Sequence, residues 1–414
     1  MKAAIVSGAV RYVAAGLGAA LVLIACGAPE PPPGAGFSSM TGGREVEVPA
    51  RPAQPVTLNI LDVAGDLQFT QPMIDEFVEE NPDIVSRVTY SKSPAPELTG
   101  KIRAQQDAGR VNIDLVLTGN DGLAAGISQE LWMPLVPKHQ MRLTHMNDYL
   151  PAASKMQWLA QGYGAVVMYD PSGPLLEYNP EKVPSPPTNA DALLAWAKEH
   201  PGRMMYARPA NSGPGRTLLM GLPYILGDKD PKDPVKGWDR TWAYLKELDK
   251  YIEYYPSGTT ETMKNLGNGS VDLIASTTGW DINPRVLGTV PKEVEIAALD
   301  GFHWITDAHY AVVPHGVSVQ KQAAILLLLD HMLSVEQQAK IYDDGTFLFG
   351  AAVKGVTLDM APPASRKILE EFGRPEYDQL IADHPTETPL DADALVKAFD
   401  KWDRLIGGSK VKES

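Results

Sequence analysis

The chain predicts an α/β protein of two lobes, each a mostly parallel sheet flanked by helices. Three observations predict it. From Val56 onward short β-branched runs alternate with amphipathic helical stretches, the pattern of βαβ units. The 414 residues exceed one ordinary core at roughly 100–200 residues per domain. Twice a strand-like run opens into a polar loop containing glycine, at 119–122 and at 277–281, so the two halves mirror each other in pattern. Hydrophobic residues make up 44% and charged residues 21%, enough apolar side chain for a sizeable core.

The first residues read as an address. Lys2 and Arg11 form a basic n-region, and Val13 to Ala25 is an apolar and glycine run ending at Cys26, the single cysteine. Its length fits the roughly 7–15 residues of a signal-peptide h-region and falls short of the roughly 20 that span a bilayer. Leu23, Ile24, Ala25 and Cys26 resemble the bacterial lipobox, in which the cysteine is lipidated and becomes the new N-terminus. Residues 1–25 are thus expected to be a lipoprotein signal peptide. Residues 26–55 are rich in proline and glycine and are expected to be a disordered tether. One cysteine excludes an intrachain disulfide framework and any multi-cysteine metal site. Removing residues 1–25 leaves 35 basic against 51 acidic residues, a charge of −16 that opposes sequence-independent contact with nucleic acid.

In the body, Val56 to Val63 predicts a strand, Gln71 to Asn81 a helix, Val88 to Tyr90 a strand, Glu97 to Gly109 a helix and Ile113 to Thr118 a strand. Ala165 to Tyr169 is a strand at a hinge crossing. The segment Pro180 to Pro187 suggests the passage between lobes, after which Thr188 caps a helix and Met204 to Ala207 forms a strand. Trp238, Trp242, Leu245, Leu248 and Ile252 recur at helical spacing and read as core packing. Val271 to Ser276, Val294 to Leu299 and Tyr310 to Val313 follow as strands. The apolar stretch Ile325 to Leu329 predicts a buried helix, and Ser334 with Gln337 a capped one.

Ligands of open α/β sheets sit beyond the carboxyl ends of strands, so the loops after each strand are the places to search. They offer Asp62, Gly65 and Asp66, then Gly119, Asn120 and Asp121. Each reads equally as part of an ordinary turn in which Asp or Asn caps the next helix. Ser212, Gly213 and Arg216 lie where a glycine-rich turn opens a helix, and with Arg208 they suit a carboxylate or phosphate. The spacing is not that of a P-loop. Trp280 beside Asp281 suits a cationic or aromatic ring. Gln161 and Tyr163 precede the hinge strand and face the cleft or the core. His303, His309 and His315 are six residues apart, about 20 Å in extended chain, too far for one metal.

Four segments resemble the extracellular solute-binding lipoproteins of bacterial ABC importers. They are the lipobox with its tether, Asp114 to Gly122, Asn268 to Asp281, and Asp307 to Pro314 with the apolar helix and Ser334 to Lys340. Ala197 to Arg203 leading to Tyr206 to Pro209 is similar to the thiamine- and polyamine-type branch. The resemblance implies a two-lobed periplasmic-binding-protein-like (Venus flytrap) fold. Lobe 1 would hold residues 56–168 and 292–362, lobe 2 residues 169–291, and residues 363–414 would be C-terminal helices packed on the lobes. It places Asp307 and His309 at the cleft. It also implies no catalysis, no cofactor and no metal, and a monomer anchored outside the cytoplasm by lipid on Cys26. The protein would deliver an amine, a thiamine-like cation or a phosphorylated organic solute to ABC permease subunits, without nucleic acid as a partner. A lipid-anchored hydrolase or a solute sensor of the same fold are the competing expectations. No G-x-S-x-G or H-E-x-x-H pattern supports the hydrolase.

Overall fold

The computed structural model describes residues 47–345 and 350–412. The expected signal peptide, Cys26 and the tether up to residue 46 lie outside them. In chain order the strands are β1 (Val56–Asp62), β2 (Val85–Lys92), β3 (Leu115–Thr118), β4 (Gly164–Gly173), β5 (Leu175–Tyr178), β6 (Met204–Met205), β7 (Tyr255–Pro256), β8 (Leu273–Ser276), β9 (Glu295–Ala297), β10 (Trp304–Val312), β11 (Thr386–Glu387) and β12 (Val411–Lys412). The helices are α1 (Leu67–Glu80), α2 (Ala95–Asp107), α3 (Asn120–Ser128), α4 (Pro151–Leu159), α5 (Ala190–Glu199), α6 (Gly213–Ile225), α7 (Asp239–Leu248), α8 (Thr259–Gly267), α9 (Asn283–Val286), α10 (Val319–Met332), α11 (Val335–Gln338), α12 (Pro363–Phe372), α13 (Glu376–Asp383) and α14 (Ala392–Trp402).

The first lobe is built on a six-stranded sheet, β11-β10-β3-β1-β2 with β4 also paired to β10. Its inner strands β3 and β10 are buried on both sides because both faces are covered, whereas the edge strand β2 is largely exposed. Leu58, Ile60, Leu115, Leu117 and Ala311 join one core with α1 and α10. Their sequence neighbours Leu61, Val116, Tyr310 and Val312 join another on the opposite face, with Leu98 and Ile102 of α2. The apolar run of α10 is buried as expected, through Ile325, Leu326, Leu328 and Leu329. Ser334 caps α11 by accepting from the Gln337 amide.

The second lobe carries the four-stranded sheet β6-β8-β5-β9. Leu176, Leu273 and Ala275 pack with Trp238, Trp242, Leu245, Leu248 and Ile252, so the aromatic stripe is core. Ile274 and Met205 point to the other face, against α8. The pairing is mixed: β6 and β8 run parallel, whereas β5 is antiparallel to both β8 and β9.

Among the described residues three passages link the lobes, at 173–175, 298–303 and 388–391. The expected passage at Pro180 to Pro187 is instead a loop within the second lobe, with Val183 in its core. The 292–362 segment assigned to lobe 1 begins too early, since β9 belongs to the second sheet. The cap expected at Thr188 is made one residue later, where the Asn189 side chain accepts from the Ala192 amide. The C-terminal segment does more than cover the lobes: β11 extends the first sheet through β10, and β12 pairs with β7. Helix α14 buries Leu395, Ala398 and Trp402 in the second-lobe core, which also takes in Ala124 of α3. The tether boundary also shifts. Arg142 donates to the carbonyls of Pro49 and Ala50 at 2.9 and 2.8 Å, and the Ala53 amide donates to Gln320 at 2.6 Å, so residues 49–53 are fastened to the body.

Candidate ligand-binding cleft

Strand ends and helix starts from both lobes meet at a cavity of about 540 Å³. From the first lobe, the turn after β1 supplies Gly65, the turn after β3 supplies Gly119 and Asp121, and β10 supplies Asp307 and His309. From the second, the start of α6 supplies Ser212, Gly213 and Arg216, and the turn after β8 supplies Trp280. Gly65 and Gly279 have φ of +84° and +81°, the left-handed region that glycine enters without strain, and they turn the chain just before the wall.

Arg216 lies at the centre. One of its terminal nitrogens donates to Asp307 at 2.7 Å, and the other lies 3.7 Å from Asp121. Asp307 also accepts from the Asn120 side chain and from the Ala308 amide. Burial works against both charges, but Arg216 and then His309 hold the Asp307 carboxyl below its ordinary range, and Asp307 and Asp121 hold the guanidinium above its own. His309 sits on a buried carboxylate, its Nδ1 bonded to Asp66. Burial opposes the imidazolium, yet Asp66, with Asp307 and Asp170 behind it, pushes the group up to about 9. Across the ladder Asp170 is directly opposite Asp307. Burial first and Asp307 second push Asp170 up to about 7, while the Thr278 hydroxyl donates to it at 2.8 Å. Two facing carboxylates do not both ionise freely, and the one that holds Arg216 keeps the charge.

Of the sixteen residues expected at the ligand, nine line this cavity: Gly65, Gly119, Asp121, Ser212 and Gly213, with Arg216, Trp280, Asp307 and His309. Asn120 and Asp66 lie directly behind the wall, holding Asp307 and His309. Asp62 performs the ordinary turn role, accepting from the amides of Gly65, Asp66 and Leu67. Arg208 is turned away from the cavity and doubly bonded to Asp403 beyond α14. Asp281 points inward to Arg285 and Arg374, because its neighbour Trp280 takes the outward position. Gln161 is exposed and Tyr163 packs in the first-lobe core. Both precede β4, whose far end carries Asp170, roughly 20 Å away along the extended strand. Sequence reasoning missed Gln68, Phe69 and Pro94 on the first-lobe side, and Ser257, Thr259 and Asn283 on the second. The strand-end rule points to Asp170 once β4 is read to Gly173 instead of Tyr169. Among the described residues no group of three or more His, Cys, Asp or Glu side chains is arranged to hold a metal.

A polar cavity between two α/β lobes, walled by strand ends on one side and helix starts on the other, defines a ligand-capturing two-lobed binding protein. The chain belongs to the family described as bacterial extracellular solute-binding protein, whose model matches residues 72–367. No curated protein matches it in sequence. Solved structures agree in fold. The spermidine/putrescine ABC transporter substrate-binding protein PotD from Streptococcus pneumoniae is 15% identical with a TM-score of 0.55, the match covering 84% of this chain and 98% of that one. Iron-bound HitA from Pseudomonas aeruginosa is 17% identical with a TM-score of 0.56, covering 84% and 99%. The periplasmic binding protein AfuA from Actinobacillus pleuropneumoniae, with exogenous fructose-6-phosphate bound, is 14% identical with a TM-score of 0.57, covering 84% and 98%. Among the described residues no helix is long and apolar enough to cross a membrane.

Proposed function

We propose that the protein is the substrate-binding component of an ABC importer, capturing a small polar organic solute between its lobes and delivering it to membrane permease subunits. The observation that carries this reading is the cavity, to which both lobes contribute polar side chains and whose size suits a small organic molecule. Family membership and the ABC-transporter name of PotD support it. Capture and delivery make and break no covalent bond, so no catalytic residue is assigned. In this reading Cys26 carries a lipid, and residues 27–46 link it to the point where the chain is fastened to the body.

Native mass spectrometry of freshly purified protein, followed by a thermal-shift panel of metabolites, tests the capture. A retained small molecule is expected, and a solute at 100 times its dissociation constant stabilises by about 2.7 kcal/mol. A melting temperature indifferent to every solute would overturn the reading. Cys26→Ser should release the protein from the membrane fraction or block its maturation; unchanged retention on membranes removes the anchor.

A further inference from the structure

The carboxylates that could receive a cationic ligand are almost all engaged within the protein. Asp307 accepts from Asn120, Arg216 and the Ala308 amide, Asp66 from His309, and Asp62 from three backbone amides. Asp121 alone lines the cavity with no side-chain partner nearer than 3.7 Å. The groups left open can all donate, the two carboxamides among them being able to accept as well. His309 spends Nδ1 on Asp66, and its Nε2 has no hydrogen-bond partner among the described residues. The side-chain amides of Asn211 and Asn283 and the indole N–H of Trp280 line the same cavity, likewise without partners.

Helix orientation adds to this. Helices α6 and α8, of 13 and 9 residues, begin at Gly213 and Thr259 on the cavity wall, so the positive ends of their dipoles lie there. The start of α6 is largely satisfied, since Pro214 has no N–H and the Ser212 side chain caps the Gly215 amide, whereas α8 has no side-chain cap and leaves its first-turn N–H groups open. An imidazolium N–H, an indole N–H, two carboxamides and the uncapped start of α8 call for a ligand rich in acceptor oxygens.

Building on the solute-capture reading above, we propose that the ligand is a small hydroxylated organic anion. Its carboxylate or phosphate is held by His309 and the start of α8, a hydroxyl is donated to Asp121, and Trp280 covers one face. A polyamine has only donors to offer and would find one free carboxylate. Although burial opposes it, the carboxylates of Asp66, Asp307 and Asp170 push His309 up to about 9, so the imidazolium stays charged at neutral pH.

Isothermal titration of the full-length mature protein with glucose 6-phosphate, gluconate, spermidine and thiamine tests the class. At least one of the two anions is expected to bind at least 100-fold more tightly than either cation, and their relative affinity separates phosphate from carboxylate. His309→Gln should weaken anion binding at least tenfold. Asn283→Ala, at a half-exposed position, should weaken it severalfold and gives the same readout should His309→Gln fold poorly. Binding of spermidine or thiamine with silence toward both anions overturns the anion assignment and leaves solute capture standing; silence toward all four overturns this proposal, and silence in the broad metabolite panel as well overturns both.

Discussion

Replacing Arg216 by methionine should destabilise the protein by about 3–5 kcal/mol, the range for removing one partner of a buried ion pair. The guanidinium reaches from α6 of the second lobe to Asp307 on the strand that re-enters the first lobe, and toward Asp121 at the start of α3. Methionine fills similar space but leaves Asp307 buried with the Asn120 amide and one backbone N–H bonded to it, and with His309 as the remaining nearby cation. The cost is that of an uncompensated buried charge and not a measure of what the pair contributes to folding. Asp307→Asn in the Arg216→Met background removes the stranded charge and should recover part of the loss, a coupling that a double-mutant cycle measures. The sign with pH follows from the lowered pKa of Asp307. Its stabilisation is present above the ordinary carboxylate value near 3.8 and is lost as pH falls through the lowered one. The gap between wild type and Arg216→Met should therefore narrow in acid. Urea denaturation at pH 7 and again below pH 4 checks both points. A loss under 1 kcal/mol at pH 7 would sink the assignment of Arg216 as the central charge of the cleft.

What local pattern carries, the sequence exposes well. The loops Gly119 to Asp121 and Ser212 to Arg216 are read from a strand run followed by turn residues and an apolar helix, and both reach the cavity. The stripe from Trp238 to Ile252 is read from spacing alone, and all five residues are buried. What fails depends on partners distant in sequence. Asp66 and His309 are 243 residues apart, so nothing local reveals that one carboxylate is consumed by the other ring. Arg208 is withdrawn from the ligand by Asp403, 195 residues later. A stretch rich in proline reads as a crossing, yet Pro180 to Pro187 stays within one lobe, while the strand pair β4 and β5 changes lobes across Pro174. Asp281 shows the narrowest limit. One residue of offset separates a side chain in the wall from one in the core, and turn composition does not set that phase.

That inward position makes Asp281→Ala the second large prediction, a loss of about 3–5 kcal/mol by the same mechanism of stranded buried charge. Asp281 is fully buried and accepts from Arg374 Nε at 2.9 Å, while Arg285 approaches within 3.3 Å and also donates to the Asp281 backbone carbonyl at 2.6 Å. Arg374 belongs to the segment after α12 and also donates to the Val294 carbonyl, and Arg285 donates to the Phe372 carbonyl. One carboxylate thus fastens the C-terminal segment to the turn that presents Trp280. Glu376, on the exposed side of Arg374, lies 4.0 Å from it, and the buried acid beside the cluster is Glu177 on β5. Burial first and the Asp281 charge second push Glu177 up to about 8, so at neutral pH it is mostly protonated and compensates neither arginine. Asp281 is the buried anion shared by two buried cations, and its removal leaves them repelling each other, a repulsion that adds to burial in depressing Arg285. Combining Asp281→Leu with Arg285→Met and Arg374→Met removes all three charges and should restore much of the lost stability, because the penalty lies in the unpaired charge and not in the missing bond. Urea midpoints of the single and triple variants decide it. A single variant as stable as wild type, or a triple variant no better than the single, would show that Asp281 does not hold this junction together.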